Sequence, residues 1–384
     1  MNKNERNIIN LVAFLSTILW LSLNQSNAEP PTETKNWQMF RNSPDLRGFT
    51  RAALPEKPKL LWSFKTEGAI NSSPSVSNGI VYFGSDDGNI YALNVANGSK
   101  LWAYKTGSPV QSSPLILNDS VYIGAEDGYL YAIHSKTGSL KWKYKTDGKI
   151  AGAPNFWQDF SKKSTNIIFG SYDNKLHCVN SSNGEQVWSF DTGNYINGAA
   201  AIDKNGNAIF GGCDGILHLI DIKEGKEVKK IEMGAYIACS VAIVDNLAYF
   251  GNMENVFHCV DIEKGTNKWT YKDRQFPYYS SPAVSNDRVV FGGRDKRVHC
   301  LNRADGKVIW TFSTRGKVDS SPVIAQDKVV VGSEDGRVYI LNIKDGKELW
   351  SYDTAAPISS SPAVINLRLF IGSDNGTLYC FGEQ

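Results

Sequence analysis

The chain has 384 residues, with 41 Lys and Arg against 39 Asp and Glu, for a formal net charge of +2. That balance excludes the single-sign field by which a protein recruits nucleic acid or an anionic membrane. Aromatic residues reach 11% and glycines number 34, the composition of many short strands joined by tight turns.

Lys3 and Arg6 precede an apolar run from Ile8 to Leu23, and Ser26-Asn27-Ala28 supplies the small residues that a signal peptidase reads. Residues 1–28 are therefore expected to be a secretory signal cleaved after Ala28. The alternative is a retained anchor, because the run is close to spanning length. On the first reading the mature chain is exported, periplasmic or secreted, and could associate with the outer membrane without a lasting membrane span. Residues 29–58 form a Pro-rich polar linker. Its one apolar cluster, from Trp37-Gln38-Met39-Phe40 to Phe49, is expected to cover the domain without joining its sheets.

From Leu60 onward one pattern returns about every 40 residues: a small residue, Asn or Asp two places later, Gly at the seventh place and Trp at the eleventh. It runs Ala92…Gly98…Trp102, Ala132…Gly138…Trp142, Cys178…Gly184…Trp188, Cys259…Gly265…Trp269, Cys300…Gly306…Trp310 and Ile340…Gly346…Trp350. A weakened copy, Leu219…Gly225…Lys229, replaces the tryptophan by lysine. Within a unit, alternating apolar runs separated by turns such as Glu126-Asp127-Gly128 read as four antiparallel strands. Units open at Ser72, Ser112, Gly152, Gly198, Cys239, Ser280, Ser320 and Ser360, which makes eight. The last has only three strands, and Leu60-Leu61-Trp62-Ser63-Phe64 stands spare before the first. The expected fold is all-β: residues 59–384 as an eight-bladed propeller of four-stranded antiparallel blades, closed by the N-terminal strand.

The Ala-x-Asp/Asn-x-x-x-Gly-x-x-x-Trp period resembles the tryptophan-docking repeat of the quinoprotein, or PQQ-binding-like, propellers and of their non-catalytic BamB-like members. The resemblance covers residues 60–384. It implies that Trp62, Trp102, Trp142, Trp188, Trp269, Trp310 and Trp350 each lie flat between a small residue and a glycine turn, locking blade to blade. It also implies, for catalytic members, a pyrroloquinoline quinone and calcium on the propeller axis, with two adjacent bonded cysteines over the cofactor. This chain has no Cys-Cys pair.

Other residues invite chemistry and are better read as structure. Cys178, Cys259, Cys300 and Cys380 occupy the small-residue slot, so they are expected to be buried hydrophobes. Cys213 and Cys239 fall in adjacent blades, and a bond between them stays open. His177, His218, His258 and His299 stand where other blades have tyrosine, and symmetry-related positions do not converge on one ion. The turn residues Asp87, Asp127, Asp173, Asp214, Asp295 and Asp335 are assigned to turn geometry alone, and the Ser-Ser-Pro openings to strand entry. Asp319 is the only carboxylate placed near the axis. No catalytic, cofactor or metal residue is assigned.

Blades three to five depart most from the repeat. Ser-Ser-Pro gives way to Gly152-Ala153-Pro154, Gly198-Ala199-Ala200 and Cys239-Ser240-Val241, with an insert around 156–160. Tyr195, Tyr236, Phe276 and Tyr278 enter blades four to six where the other blades carry Ala69, Pro109, Lys149, Lys317 and Pro357. An aromatic arc on one rim, flanked by charge, is the signature of a protein-docking site. The expected function is thus an exported, monomeric, non-catalytic scaffold for a cell-envelope protein partner, as in BamB-like outer-membrane assembly. A quinone-dependent dehydrogenase and a glycan- or small-ligand-binding propeller are the alternatives.

Overall fold

A computed structural model describes residues 34–159 and 163–383. The signal segment at 1–28 and Phe160 of the insert lie outside them. Seven four-stranded antiparallel blades follow in chain order, at 75–105, 115–145, 155–191, 201–232, 242–271, 283–313 and 323–353. The eighth combines Ala363–Ile365, Arg368–Gly372 and Thr377–Gly382 with Lys59–Lys65 as its outer strand. That closing strand sets Trp62 opposite Cys380, the register in which Trp102 faces Ala92. The ring is closed by pairing what would otherwise be two bare sheet edges.

Burial follows radial position. Inner strands such as Ser75–Ser77 and Val323–Ala325 are buried throughout, being covered on both faces by neighbouring blades. Outer strands alternate, as in Lys100–Lys105, where every other side chain meets water. Each blade also carries a register shift beside its docking position, such as that between Ala92 and Leu93. A bulge there twists the outer strand and turns the indole toward the next blade.

The indole seats explain the glycine. A Cβ placed on Gly98 would lie 2.6 Å from the Trp62 ring, and on Gly138 2.7 Å from Trp102, so only bare backbone can lie against the ring face. These glycines also have positive φ, 72° at both. Each indole then donates its Nε1–H to a carbonyl of that neighbour: Trp62 to Val95 (3.0 Å), Trp102 to Ser135 (2.8 Å), Trp188 to Ile222 (2.7 Å) and Trp310 to Ile343 (2.9 Å). Two joints differ. Lys229 sends its ammonium to the corresponding carbonyl of Ile262 (3.2 Å), so the hydrogen bond survives where the ring is lost. The missing ring leaves an open groove of about 630 Å³ whose walls include Leu219, Val228 and Ile262. At the closure seam Trp350 meets the edge of Phe381 (5.2 Å, 74°), because the third and fourth strands of blade eight come from distant parts of the chain and no glycine turn joins Gly382 to Lys59.

Ser-Ser-Pro does more than mark strand entry. The second serine of each copy accepts an amide from the preceding blade: Ser73 N to Ser113 Oγ, Ser240 N to Ser281 Oγ, Ser281 N to Ser321 Oγ, and Ser361 N to Ser73 Oγ across the seam, each at 3.0 Å. The first serine donates to the next blade's backbone, as Ser72 does to Ser112 O (2.8 Å). Where blades three and four carry Ala153 and Ala199, no hydroxyl exists to continue the circle.

The leader corrects the expectation that it stays outside the sheets. Trp37 exchanges both hydrogen bonds with Val76 (2.7 Å each), and Phe49–Thr50 pairs in parallel with Ile324 and Ala325 of blade seven. Its carbonyls take amides from the inner strands in order: Gln38 from Ile116, Pro44 from Ile202, Asp45 from Ile243, Arg47 from Val284, Gly48 from Ile324 and Ala53 from Leu367. The segment therefore circles one axial mouth and satisfies the inner edges that a ring of blades leaves bare there. Arg41 crosses beneath it, 1% exposed, donating to Ser321 O (3.1 Å) and Pro282 O (2.8 Å). Burial draws its guanidinium down to about 9, still cationic at neutral pH. Among the described residues no helix is long and apolar enough to cross a membrane.

Candidate functional site

The opposite mouth is where the inter-blade loops meet the turns between second and third strands. Each such turn donates an amide to the incoming loop, as Asp86 N does to Ala69 O, Met253 N to Tyr236 O and Arg294 N to Pro277 O. Behind them the axis holds a cavity of about 190 Å³ lined by Ser73, Ser113, Ser281, Ser321 and Ser361, with Phe40 of the leader also in its wall.

Four residues were expected to form an aromatic arc here, and three are exposed: Tyr195 at 49%, Tyr236 at 54% and Phe276 at 46%. Tyr195 stacks on Tyr172 (5.0 Å, 12°), which carries the Lys149 ammonium over its ring (4.7 Å). Tyr278 is a correction. It is 1% exposed and stands edge-on to Phe291 (5.1 Å) and His299 (5.9 Å). The loop entering blade six is one residue longer than the others, so Pro277 takes the loop position that Tyr236 holds in blade five and Tyr278 falls into the slot that Ile237 and Val318 fill in the flanking blades.

Asp319 does line the axial cavity, but it is not free to act as a base. Arg294 grips it through Nε (3.0 Å to Oδ1) and Nη2 (2.7 Å to Oδ2), and the same guanidinium lies 3.5 Å over the Tyr279 ring. Nor is it alone. Asp86 accepts from Asn71 (3.0 Å) and Asp374 from Ser359 (3.2 Å), and both Asn71 and Ser359 line the cavity. Burial raises both carboxyls, and at Asp86 the charges of Glu126 and Asp374 raise it further. Sequence reasoning missed this acidic side because Asp86 sits beside the turn residue Asp87 and Asp374 beside Asn375, so both look like more turn chemistry.

The turn aspartates also do more than shape turns. Asp87 takes the Asn89 amide on Oδ1 (3.0 Å) and the Tyr91 hydroxyl on Oδ2 (2.8 Å), and Tyr339 binds Asp335 likewise (2.8 Å). The histidines replace those tyrosines and keep the bond: His177 reaches Asp173 (3.0 Å) and His218 reaches Asp214 (2.6 Å). The signal was present as an Asp and a Tyr or His four residues apart in blade after blade. His258 instead meets Asn252 (3.0 Å), and burial lowers its imidazole below the usual histidine range. All six cysteines are free, Cys213 and Cys239 included.

A family model described as the beta-propeller of the beta-alanine-activating enzyme matches residues 154–384. The chain belongs to that propeller family. No curated protein matches it. Among solved structures, BamB from Moraxella catarrhalis is similar at 19% identity and a TM-score of 0.71, covering 85% of this chain and 100% of that one. A computationally designed protein, Ika8, gives 18% and 0.75 over 85% and 100%. The quinohemoprotein alcohol dehydrogenase of Comamonas testosteroni gives 13% and 0.79 over 92% and 82%. At these identities the likenesses show a shared propeller fold.

Proposed function

We propose that this propeller is an exported, non-catalytic scaffold that holds a protein partner of the cell envelope on the rim of blades four to six, as an assembly factor would. The observation that carries the reading is the set of three half-exposed rings, Tyr195, Tyr236 and Phe276, on the loops entering three consecutive blades. Large rings on a rigid frame give much contact area for little lost side-chain freedom, which is why aromatic residues dominate binding hot spots. Arg294 and Asp319, locked together beside them, supply a polar flank that needs no reordering on contact.

The quinone and calcium of catalytic propellers do not suit these residues. A polyanionic planar quinone needs a free stacking face and cationic or amide partners, and calcium needs several converging oxygens. The cavity wall is mostly serine, glycine and alanine, its amides Asn71 and Asn197 already donate to Asp86 and Cys213, Tyr279 is covered by Arg294, and Asp86 and Asp374 would repel the quinone's carboxylates.

The test is a triple variant with Tyr195, Tyr236 and Phe276 replaced by Ala, compared with the parent in a photo-crosslinking experiment from position 172 in the intact envelope. Loss of a defined crosslinked protein, with the melting temperature within about 2 °C of the parent, supports a docking surface. A sharp drop in melting temperature would make the rings part of the core and end the proposal.

A further inference from the structure

Blade six breaks the repeat in a concerted way. In six blade junctions the residue four after the docking tryptophan is threonine: Thr66, Thr106, Thr146, Thr192, Thr314 and Thr354. Each donates to nearby loop carbonyls, as Thr314 does to Gly316 O (2.7 Å) and Lys296 O (3.0 Å). At the junction entering blade six the same place holds Asp273, followed by the extra residue noted above. The turn of that blade opens with Gly293 where blades one, three, seven and eight have Ser85, Ser171, Ser333 and Ser373. Any Cβ on Gly293 would overlap the Asp295 carboxylate. The third strand then presents His299 instead of tyrosine.

These changes bring three ligand-type side chains together. Oxygens of Asp273 and Asp295 and a ring nitrogen of His299 all lie within 4.8 Å of one another. Asp295 and His299 have side chains only 2% and 0% exposed, while Asp273 opens the group to solvent at 33%. In three other blades the incoming loop donates an amide to the turn carboxylate: Glu67 N to Asp87 Oδ2 (3.2 Å), Asp147 N to Asp173 Oδ2 (3.3 Å) and Arg315 N to Asp335 Oδ2 (2.8 Å). In blade six Asp295 Oδ2 is buried with no hydrogen-bond partner. An ionised oxygen left so is expensive unless a cation meets it. His299 Nε2 also stands 3.2 Å from Asp295 Oδ1, the spacing His177 keeps from Asp173 Oδ1. Ligand bonds of about 2.1 Å at octahedral or tetrahedral angles set donor atoms roughly 3.0–3.4 Å apart, so that spacing accommodates two ligands of one ion, and the unpartnered Asp295 Oδ2 with Asp273 nearby is what sets blade six apart.

We infer that Asp273, Asp295 and His299 form a divalent metal site, one imidazole nitrogen and two carboxylates, suited to a first-row ion such as zinc. The ring is pre-oriented for it. Phe291 stacks on His299 (5.1 Å, 11°), Tyr278 packs edge-on, and the Tyr271 hydroxyl holds Nδ1 at 3.2 Å, leaving Nε2 to face the carboxylates. A fixed outer partner on the second ring nitrogen is the usual support of a ligating histidine. Arg297 pairs with one oxygen of Asp273 (3.2 Å) and leaves the other for the ion. Bound there, the ion would tie the loop carrying Phe276 to the turn of blade six, in place of the threonine and amide contacts used elsewhere.

The experiment titrates tag-free protein with Co²⁺ and then Zn²⁺, reading visible absorption and melting temperature. Two variants restore what other blades carry, Asp273→Thr and His299→Tyr, so each side chain has a precedent within the same fold. The expected result is one saturable Co²⁺ site displaced by Zn²⁺, a higher melting temperature with Zn²⁺, and at least tenfold weaker binding in both variants. Absence of saturable Co²⁺ binding, or binding by folded His299→Tyr as tight as the parent's, would overturn the assignment.

Discussion

Replacing Trp102 by lysine copies into a standard joint what position 229 already has, and its effect can be worked from the structure. Trp102 is 8% exposed, donates to Ser135 O at 2.8 Å and packs against Tyr82 at 5.9 Å. An indole buries about 200 Å², which at about 25 cal/mol per Å² corresponds to roughly 5 kcal/mol of transfer free energy as an upper bound. Lysine recovers part of this. Lys229 shows that the ammonium can reach the neighbour's carbonyl, a bond of about 1 kcal/mol, while its methylenes cover some of the exposed face. The expected net loss is about 3 kcal/mol, within the range for large-to-small core changes. Urea unfolding followed by tryptophan fluorescence measures it as a lower midpoint. A loss under about 1 kcal/mol would mean that the indoles are not what clasps the blades, and the argument from the repeat would fail. The reverse change, Lys229→Trp, is expected to gain little alone. Leu219 faces position 229 where Ala92 faces Trp102, so it narrows the seat from one side and part of the groove stays open.

Two further outcomes follow from the electrostatics. Asp86 has a folded-state pKa raised by burial and by its acidic neighbours, so it stabilises the fold while protonated and loses that contribution as pH rises through its folded pKa. Asp86→Asn should therefore raise the melting temperature at pH 7, by under about 1 kcal/mol equivalent given solvent screening, and the gain should vanish near pH 3; equal melting at both pH values would count against the acidic mouth. Burial pushes the thiols of Cys178, Cys300 and Cys380 up to about 12, and of Cys239 and Cys259 to about 11, leaving half-buried Cys213 as the reactive one. A thiol reagent should label one cysteine in the native protein and six on unfolding; two fast equivalents without denaturant would contradict the burial.

What could be read from the sequence was whatever the repeat states many times over. Eight blades, the spare strand and its pairing with the last sheet all follow from spacing, since a 3.4 Å rise and two-residue turns leave little freedom within 40 residues. Tyr278 was misplaced because a single inserted residue shifts a loop's register, and composition cannot say which of two adjacent tyrosines turns inward. The roles of Ser73 or Asp87 were invisible for a different reason. Their partners lie on other strands or other blades, so the residue type shows while the bond does not. The leader was misjudged since it lacks alternation: its backbone pairs with seven of the eight blades a residue or two at a time, and no local period records that.

The departures from symmetry carry the functional argument, because a closed ring needs only the repeated residues to stand. Ala153 and Ala199 break the serine circle, Lys229 empties an indole seat, and the junction of blades five and six trades a threonine for Asp273. All fall in blades three to six, the side on which Tyr195, Tyr236 and Phe276 are exposed. Blades one, two, seven and eight keep the standard parts and hold the closure seam. On the proposed function, stability and recognition are separated around the circumference: one half can vary since the other half, with the leader strapped across the inner edges, keeps the circle shut. A partner that docks on the variable half would meet a surface whose shape the constant half fixes in advance, so little ordering would remain to oppose binding.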